Sequence, residues 1–275
     1  MAFKLDIIVP QWNQVGYTLA LFKSIKKTAP DGTRVILVDN GSERDEFEAA
    51  VAALGDYPRL VVRNSENLGF VRGTNEGICA SSAEYLCFQN TDTEMFPGGY
   101  ERILYAFQGR LDIGAVGPLA SVCESWQSIA NVAKTYPEIN GALAWKDHDK
   151  IAYWLASNLA GQRREVGSMI AFFCSVFPRR VIEQVGLLST EYGMGFGDDD
   201  DYCERIRRAG FKILLALDAY VYHAHRASFK KLYTPEQLEE AKRKNLEIFK
   251  EKWKAAPLPT SQRGGMNEIR RKRVL

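Results

Sequence analysis

Four consecutive aspartates, Asp198-Asp199-Asp200-Asp201, are the most conspicuous chemical feature of this 275-residue sequence. Like charges in a row repel one another. A helix start favours an acid by about 0.3–1 kcal/mol, which does not account for four. A carboxylate held there is suited to act as a general base. The preceding Tyr192-Gly193-Met194-Gly195-Phe196-Gly197 has the glycine content of a turn that can close over a substrate. The plainer reading is an acidic helix cap or an opportunistic calcium site, although the calcium-loop spacing Asp-x-Asp-x-Asp-Gly is absent.

Four further groups carry chemistry. Asn90-Thr91-Asp92-Thr93-Glu94 offers a carboxylate among amide and hydroxyl oxygens, a hard-oxygen setting suited to Mg2+ or Mn2+ on a diphosphate. His223 and His225 stand two apart, on one side of an extended segment, and a neutral imidazole can complete a shell begun by Asp92. Asp39, at the end of an apolar run, can accept hydrogen bonds from a ribose or a pyrimidine imide, or can close an Asx turn. The stretch from Asn67 to Gly77 holds Gly69, Gly73, Gly77 and Arg72, which suit close backbone approach and phosphate contact. It is neither a Walker loop nor a dinucleotide fingerprint.

The elements that must position these residues alternate. Short apolar runs at 5–9, 35–38, 60–63, 85–88 and 113–116 read as strands. Helical spacing appears at 15–28, 43–54 with Ser42 as its cap, 70–81 and 97–107. Residues 118–165 look less regular. A strand-like stretch follows at 167–177, then helices at 179–185 and 198–209, the latter stopped by Gly210. Strands are expected at 211–217 and 220–222, and a charged helix at 235–253 with Leu238, Ala241, Asn245, Ile248 and Phe249 along one side. Continuous apolar strands separated by helices predict a mostly parallel sheet covered on both faces, with ligands beyond the strands' carboxyl ends.

Composition sets the class. Apolar residues make up 46% and charged residues 25%, which excludes a disordered or collagen-like chain. No apolar run approaches the ~20 residues that span a bilayer. The N-terminus lacks a secretory pattern, and five scattered cysteines without a Cys-x-x-Cys pair read as free thiols. The expected location is the cytoplasm. Net charge is +2, yet residues 226–275 hold 14 Lys and Arg against 6 Asp and Glu. The plain reading is a solvated helix and a flexible tail; the alternative is a contact with phosphates, an acidic glycan or the inner face of a membrane.

Taken in order, these segments resemble family 2 inverting glycosyltransferases of the GT-A fold, most closely a rhamnosyltransferase-like branch. The carrying residues are Ile8-Val9-Pro10-Gln11-Trp12-Asn13, Val38-Asp39-Asn40-Gly41-Ser42, Asn67-Leu68-Gly69-Phe70 through Asn75, Gln89-Asn90-Thr91-Asp92, the run from Asp198 to Arg205, and His223 to Ser228. The resemblance implies a Rossmann-like α/β sheet flanked by helices, with a C-terminal helical extension. It implies a glycosyltransferase domain at 1–230, divided into a nucleotide-sugar half (1–117) and an acceptor and catalytic half (118–230). A helix (231–256) and a basic tail (257–275) follow.

The activity implied is metal-dependent transfer of a sugar, with inversion, from a UDP- or dTDP-sugar to a glycan, lipid-linked or other hydroxyl acceptor, with Mn2+ or Mg2+ as cofactor. The resemblance puts Pro10, Asn13, Asp39, Asn40, Asn67, Gly69, Arg72, Asn75, Asn90, Thr91 and Asp92 at the donor. It puts Asp92 with His223 or His225 at the metal, and Asp199, beside Asp198, at the base position. Trp126, Trp145, Trp154 and Phe172 are candidates for stacking on acceptor sugars and equally for the core, and Gly197 borders the acceptor. Two departures stand out: Asn90 replaces an aspartate, and Asp198 replaces a glutamate one methylene longer, a difference of roughly 1.5 Å. The alternatives are a catalytically weakened nucleotide-sugar-binding protein or a transferase acting on nucleic acid; a nucleotidyltransferase would need a triphosphate loop that is absent. The C-terminal helix is free to pair with a second copy or to lie on its own domain.

Overall fold

The structure, a computed structural model, describes residues 4–144, 147–224 and 234–254. The chain runs β1 (Leu5–Gln11), α1 (Val15–Thr28), β2 (Thr33–Asn40), α2 (Arg44–Leu54), β3 (Arg59–Asn64), α3 (Gly69–Ala80), β4 (Tyr85–Gln89), β5 (Thr93–Met95), α4 (Gly99–Tyr105) and β6 (Ile113–Ala120). Then come α5 (Ile129–Val132), α6 (Ile139–Ala144), α7 (His148–Asn158), β7 (Arg163–Glu165), β8 (Cys174–Pro178), α8 (Arg179–Val185), α9 (Asp198–Arg208), β9 (Lys212–His223) and α10 (Pro235–Trp253).

One sheet runs β3-β2-β1-β4-β8-β6-β9-β5, with β7 paired to β9. The first four strands are parallel, as their apolar runs predict. Ile8, Ile36 and Phe88 bury into one core and Leu5, Ile7 and Val9 into another, so both faces of the sheet are covered. The second half is mixed. β8 is antiparallel to β4 and β6, and β5 is antiparallel to β9. The predicted strand at 167–177 shortens to β8, and the two expected strands at 211–217 and 220–222 are one strand, β9. The described residues of 118–165 include the end of β6, then α5, α6, α7 and β7. Gly210 ends α9 in a left-handed conformation (φ +89°), as expected.

Ser42 does not cap α2. Its hydroxyl accepts the Asn13 N–H at 2.8 Å, and Asn13 Oδ1 accepts the Glu43 N–H at 2.8 Å. These two bonds tie the β1–α1 turn to the β2–α2 turn. The glycines of α3 serve packing. A Cβ on Gly77 would stand 2.3 Å from Ile8 Cγ2, and one on Gly73 2.9 Å from Asn40 Nδ2. The close approach that Gly73 and Gly77 permit here is of α3 to the sheet.

Candidate active site

The carboxyl ends of β1, β2 and β4 line up along one edge of the sheet, where Gln11, Asn40 and then Asn90-Thr91-Asp92 meet a cavity of roughly 460 Å³. That is the size range of small-ligand pockets. Its floor includes Pro10, Trp12 and Asn40, and its sides include Asn67, Gly69, Phe172, Phe173 and Ser125. Asn40 donates from Nδ2 to the Gly69 carbonyl (3.1 Å), and Asn67 Oδ1 accepts the Gly69 N–H (2.9 Å), which fixes the start of α3 beside the floor. Gly69 has φ +79°, and a Cβ there would stand 2.9 Å from Met194, so only glycine fits where this turn meets the 193–197 turn.

Asp92 and His223 are brought together by β5, a strand absent from the sequence expectations. Thr93 pairs with His223 in the β5–β9 ladder, and the Ala224 N–H donates to the Asp92 carbonyl at 2.9 Å. His223 Nε2 lies 3.5 Å from Asp92 Oδ1. Its Nδ1 is 3.1 Å from the Val122 carbonyl and its ring stacks on Phe173 at 4.7 Å. A carbonyl at Nδ1 favours the tautomer with its proton there, leaving the Nε2 lone pair towards Asp92. One carboxylate and one oriented imidazole suit a divalent cation that takes its other ligands from phosphate and water. No group of three or more His, Cys, Asp or Glu side chains able to hold a metal occurs among the described residues. His225 and Trp145 lie outside the described residues. His148 is tied to the Tyr220 hydroxyl at 2.9 Å.

The aspartate run divides in function. Asp198, Asp199 and Asp200 line the cavity. Asp201 turns inward, fully buried, with Arg205 at 3.0 Å, Lys252 at 3.1 Å and the Trp253 indole N–H at 3.1 Å. Three of the aspartates thus line the cavity and the fourth holds the helix in place. Burial, then the charges of Asp200 and Asp201, pushes the Asp198 carboxyl up to about 7. Burial and the neighbours Asp198 and Asp200 also raise Asp199 well above the usual carboxylate range. A carboxylate with raised proton affinity at a cavity wall can accept a proton from a hydroxyl near neutral pH.

Of the expected site residues, Pro10, Asn40, Asn67, Gly69, Asn90, Thr91, Asp92, Phe172, Gly197, Asp198, Asp199 and His223 line this cavity. Asn13, Asp39, Arg72, Asn75, Trp126 and Trp154 do not. Asp39 is buried behind the floor, where it accepts from Gln11 Nε2 (3.4 Å) and the Ser42 N–H (3.3 Å), with Arg63 at 3.5 Å. Asn75 spends its amide on the Leu188 backbone, donating to its carbonyl and accepting its N–H, both at 2.9 Å. Arg72 is on the exposed face of α3, Trp126 is exposed beneath Arg164, and Trp154 packs at the core margin. Phe172 is packed against Phe88, Phe177 and Tyr202, so its ring faces are engaged by the core.

For the cavity's other wall, the sequence pointed to the 192–197 turn but not to the share taken by α10. Lys242, Leu246 and Phe249 of α10 line it, together with Met194 and Phe196. Of the readings open for this helix, lying on its own domain is the one observed, and it shapes the site. Its signal was legible: Asn245 interrupts an otherwise apolar stripe, and a polar residue there needs a partner.

Residues 6–186 match the family model described as glycosyl transferase family 2. The chain belongs to that family. It is 26% identical over 132 residues to the uncharacterized glycosyltransferase YibD of Escherichia coli (strain K12), covering 46% of this chain and 38% of that protein. It is 26% identical over 259 residues to the uncharacterized protein y4gI of Sinorhizobium fredii, covering 91% of this chain and 27% of that protein. The chain thus spans well under half the length of these relatives. The mannosyltransferase PcManGT from Pyrobaculum calidifontis, solved with GDP-Man and Mn2+, superposes with TM-score 0.64 at 15% identity, covering 94% of this chain and 66% of that one. GalNAc-T7, solved with UDP, GalNAc and Mn2+, gives 0.63 at 13% identity, covering 92% of this chain and 50% of that one. These likenesses establish the GT-A fold. No helix among the described residues is long and apolar enough to cross a membrane.

Proposed function

We propose that this family 2 glycosyltransferase moves a sugar from a nucleotide-diphosphate sugar to an acceptor hydroxyl with inversion, using the Asp92–His223 pair and Asp199 in one cavity. The observation that carries the reading is that these two charge groups, from distant parts of the chain, line the same space. The proposal keeps a nucleotide-sugar half (1–117) and an acceptor and catalytic half (118–230), with His223 of the second half reaching the donor side. Gln11, Asn40 and Trp12 hold the nucleoside over the strand ends, with Asp39 behind them. Asp92 and His223 would hold a divalent cation, which supplies positive charge to the diphosphate leaving group. Structural neighbours that bind Mn2+ with GDP-Man or UDP support this choice of ion.

Asp199 takes the acceptor hydroxyl's proton as that oxygen forms its bond to the anomeric carbon. The bond from that carbon to the donor phosphate oxygen breaks on the opposite face, and its electron pair leaves with the nucleotide diphosphate. A single displacement inverts the centre. Burial, and then the charges of the flanking Asp198 and Asp200, raise the proton affinity of the base. Holding both reactants in one cavity supplies much of the remaining acceleration.

The test is transfer and donor hydrolysis against UDP-, dTDP- and GDP-sugars with Mn2+, Mg2+ or chelator. The rhamnosyltransferase-like reading puts dTDP-rhamnose first on that panel. Turnover of one donor that chelator abolishes supports the proposal. Nucleotide-sugar binding without turnover on any acceptor supports the weakened-binder reading instead.

A further inference from the structure

Residues 192–197 form an unusual turn. Gly193, Gly195, Phe196 and Gly197 all have positive φ (57°, 135°, 71° and 83°). Phe196 carries a Cβ, so that conformation is disfavoured for it and must be held from outside. The turn ends at Gly197, the N-cap of α9, immediately before Asp198 and Asp199. Glycine has no side chain to cap the helix.

The holding group comes from α10. Asn245 is the buried residue of an otherwise largely exposed, charged helix. Its Nδ2 donates to the carbonyls of Tyr192 (3.0 Å), Gly195 (2.9 Å) and Phe196 (2.9 Å). Two turns further along α10, Lys252 and Trp253 reach Asp201 on the far side of the acidic run. Arg208 stacks on Trp253 at 4.6 Å. The helix thus grips the chain immediately before and immediately after the three aspartates that line the cavity.

We infer that Asn245 is a positioning residue for transfer: its amide fixes the 192–197 turn and through it aims Asp198 and Asp199 at the acceptor. The inference rests on the assignment of Asp199 as base given above. Buried carbonyls that lose a donor are costly to leave unpaired, so the turn relaxes when the amide is removed. A displacement of the base of order 1 Å is enough to lower turnover about 100-fold without touching the donor subsite.

The experiment compares Asn245→Ala, Asn245→Asp, which keeps the shape but offers no donor when ionised, and Asn245→Gln, with Glu247→Ala on the exposed face as control. For each, melting temperature, amide exchange, nucleotide-diphosphate affinity with Mn2+, kcat and acceptor KM are measured on the full chain. Expected are a kcat lowered about 10- to 100-fold in the Ala and Asp variants, donor affinity within about twofold, and faster exchange concentrated in 192–201. Partial recovery is expected in Asn245→Gln. If Asn245→Ala does not fold, Asn245→Gln carries the test with the same split in milder form. Unchanged kcat in a folded variant overturns the inference. So does a loss of kcat and donor affinity in step with melting temperature, which is the mark of a purely structural strap. If the wild type transfers no sugar from any donor, the function fails first, and exchange at 192–201 still decides whether Asn245 holds the turn.

Discussion

One part of the cavity is made by strands that end; another wall is made by a turn and a helix that arrive from far along the chain. On the floor, Gln11, Asn40 and Asn90 each follow an apolar run within a few residues, and parallel pairing alone aligns them. On the wall, Asp199 depends on a positive-φ turn, on Asn245 some fifty residues later, and on Asp201 turned backwards into Lys252 and Trp253. The difference is one of contact range. Local pattern specifies the floor, while the wall exists only once tertiary packing is complete.

The comparison can be broken at four points. The largest effect belongs to the wall. Asp199→Asn should lower the transfer rate by about 10²- to 10⁴-fold, the range of a lost general base, in a steady-state assay with saturating donor. On the floor, Asp92→Asn should weaken Mn2+-supported nucleotide binding by about 10- to 100-fold in calorimetric titration, and unchanged affinity would remove Asp92 from the donor site.

Smaller effects sharpen the picture. Gly77→Ala forces a Cβ against Ile8 and should cost about 1–3 kcal/mol in urea unfolding with nucleotide affinity intact. A loss of affinity at unchanged stability would return this glycine to a phosphate cradle. The least effect is a pH dependence at Asp198, whose carboxyl is raised to about 7 by burial and by Asp200 and Asp201. The fold favours its neutral form. That contribution is full below the ordinary carboxylate range and is lost as pH rises through about 7. Asp198→Asn should therefore gain melting temperature relative to wild type between about pH 5 and about pH 8, and a flat difference would contradict the raised value.

The same division governs what was legible in the sequence. β1, β2, β4 and α1 were readable because each buries its own local pattern, and β3 because its short apolar run pairs along β2 while staying half-exposed. β5 and β7 are three-residue strands that exist only as partners of β9, so no local signal announces them. Asp92 and His223 were identified by chemical type, whereas the ladder that joins them was not. Arg72 and Asn75 show the converse. Their types suit phosphate contact, yet the register of α3 on the sheet leaves one on the exposed face and spends the other on Leu188. Residue type narrows the candidates, and helix phase decides among them. Lys242, Leu246 and Phe249 were missed because a charged helix reads as solvated until its one buried amide is given a partner.

The central claim is that donor and base occupy one cavity but separate walls. Nucleotide-diphosphate affinity with Mn2+, measured on Asp199→Asn beside its transfer rate, tests it most directly. Affinity within about threefold of wild type, a shift of under 1 kcal/mol, alongside near-complete loss of transfer is the predicted result. Loss of both in equal measure, or transfer at the wild-type rate, would contradict it.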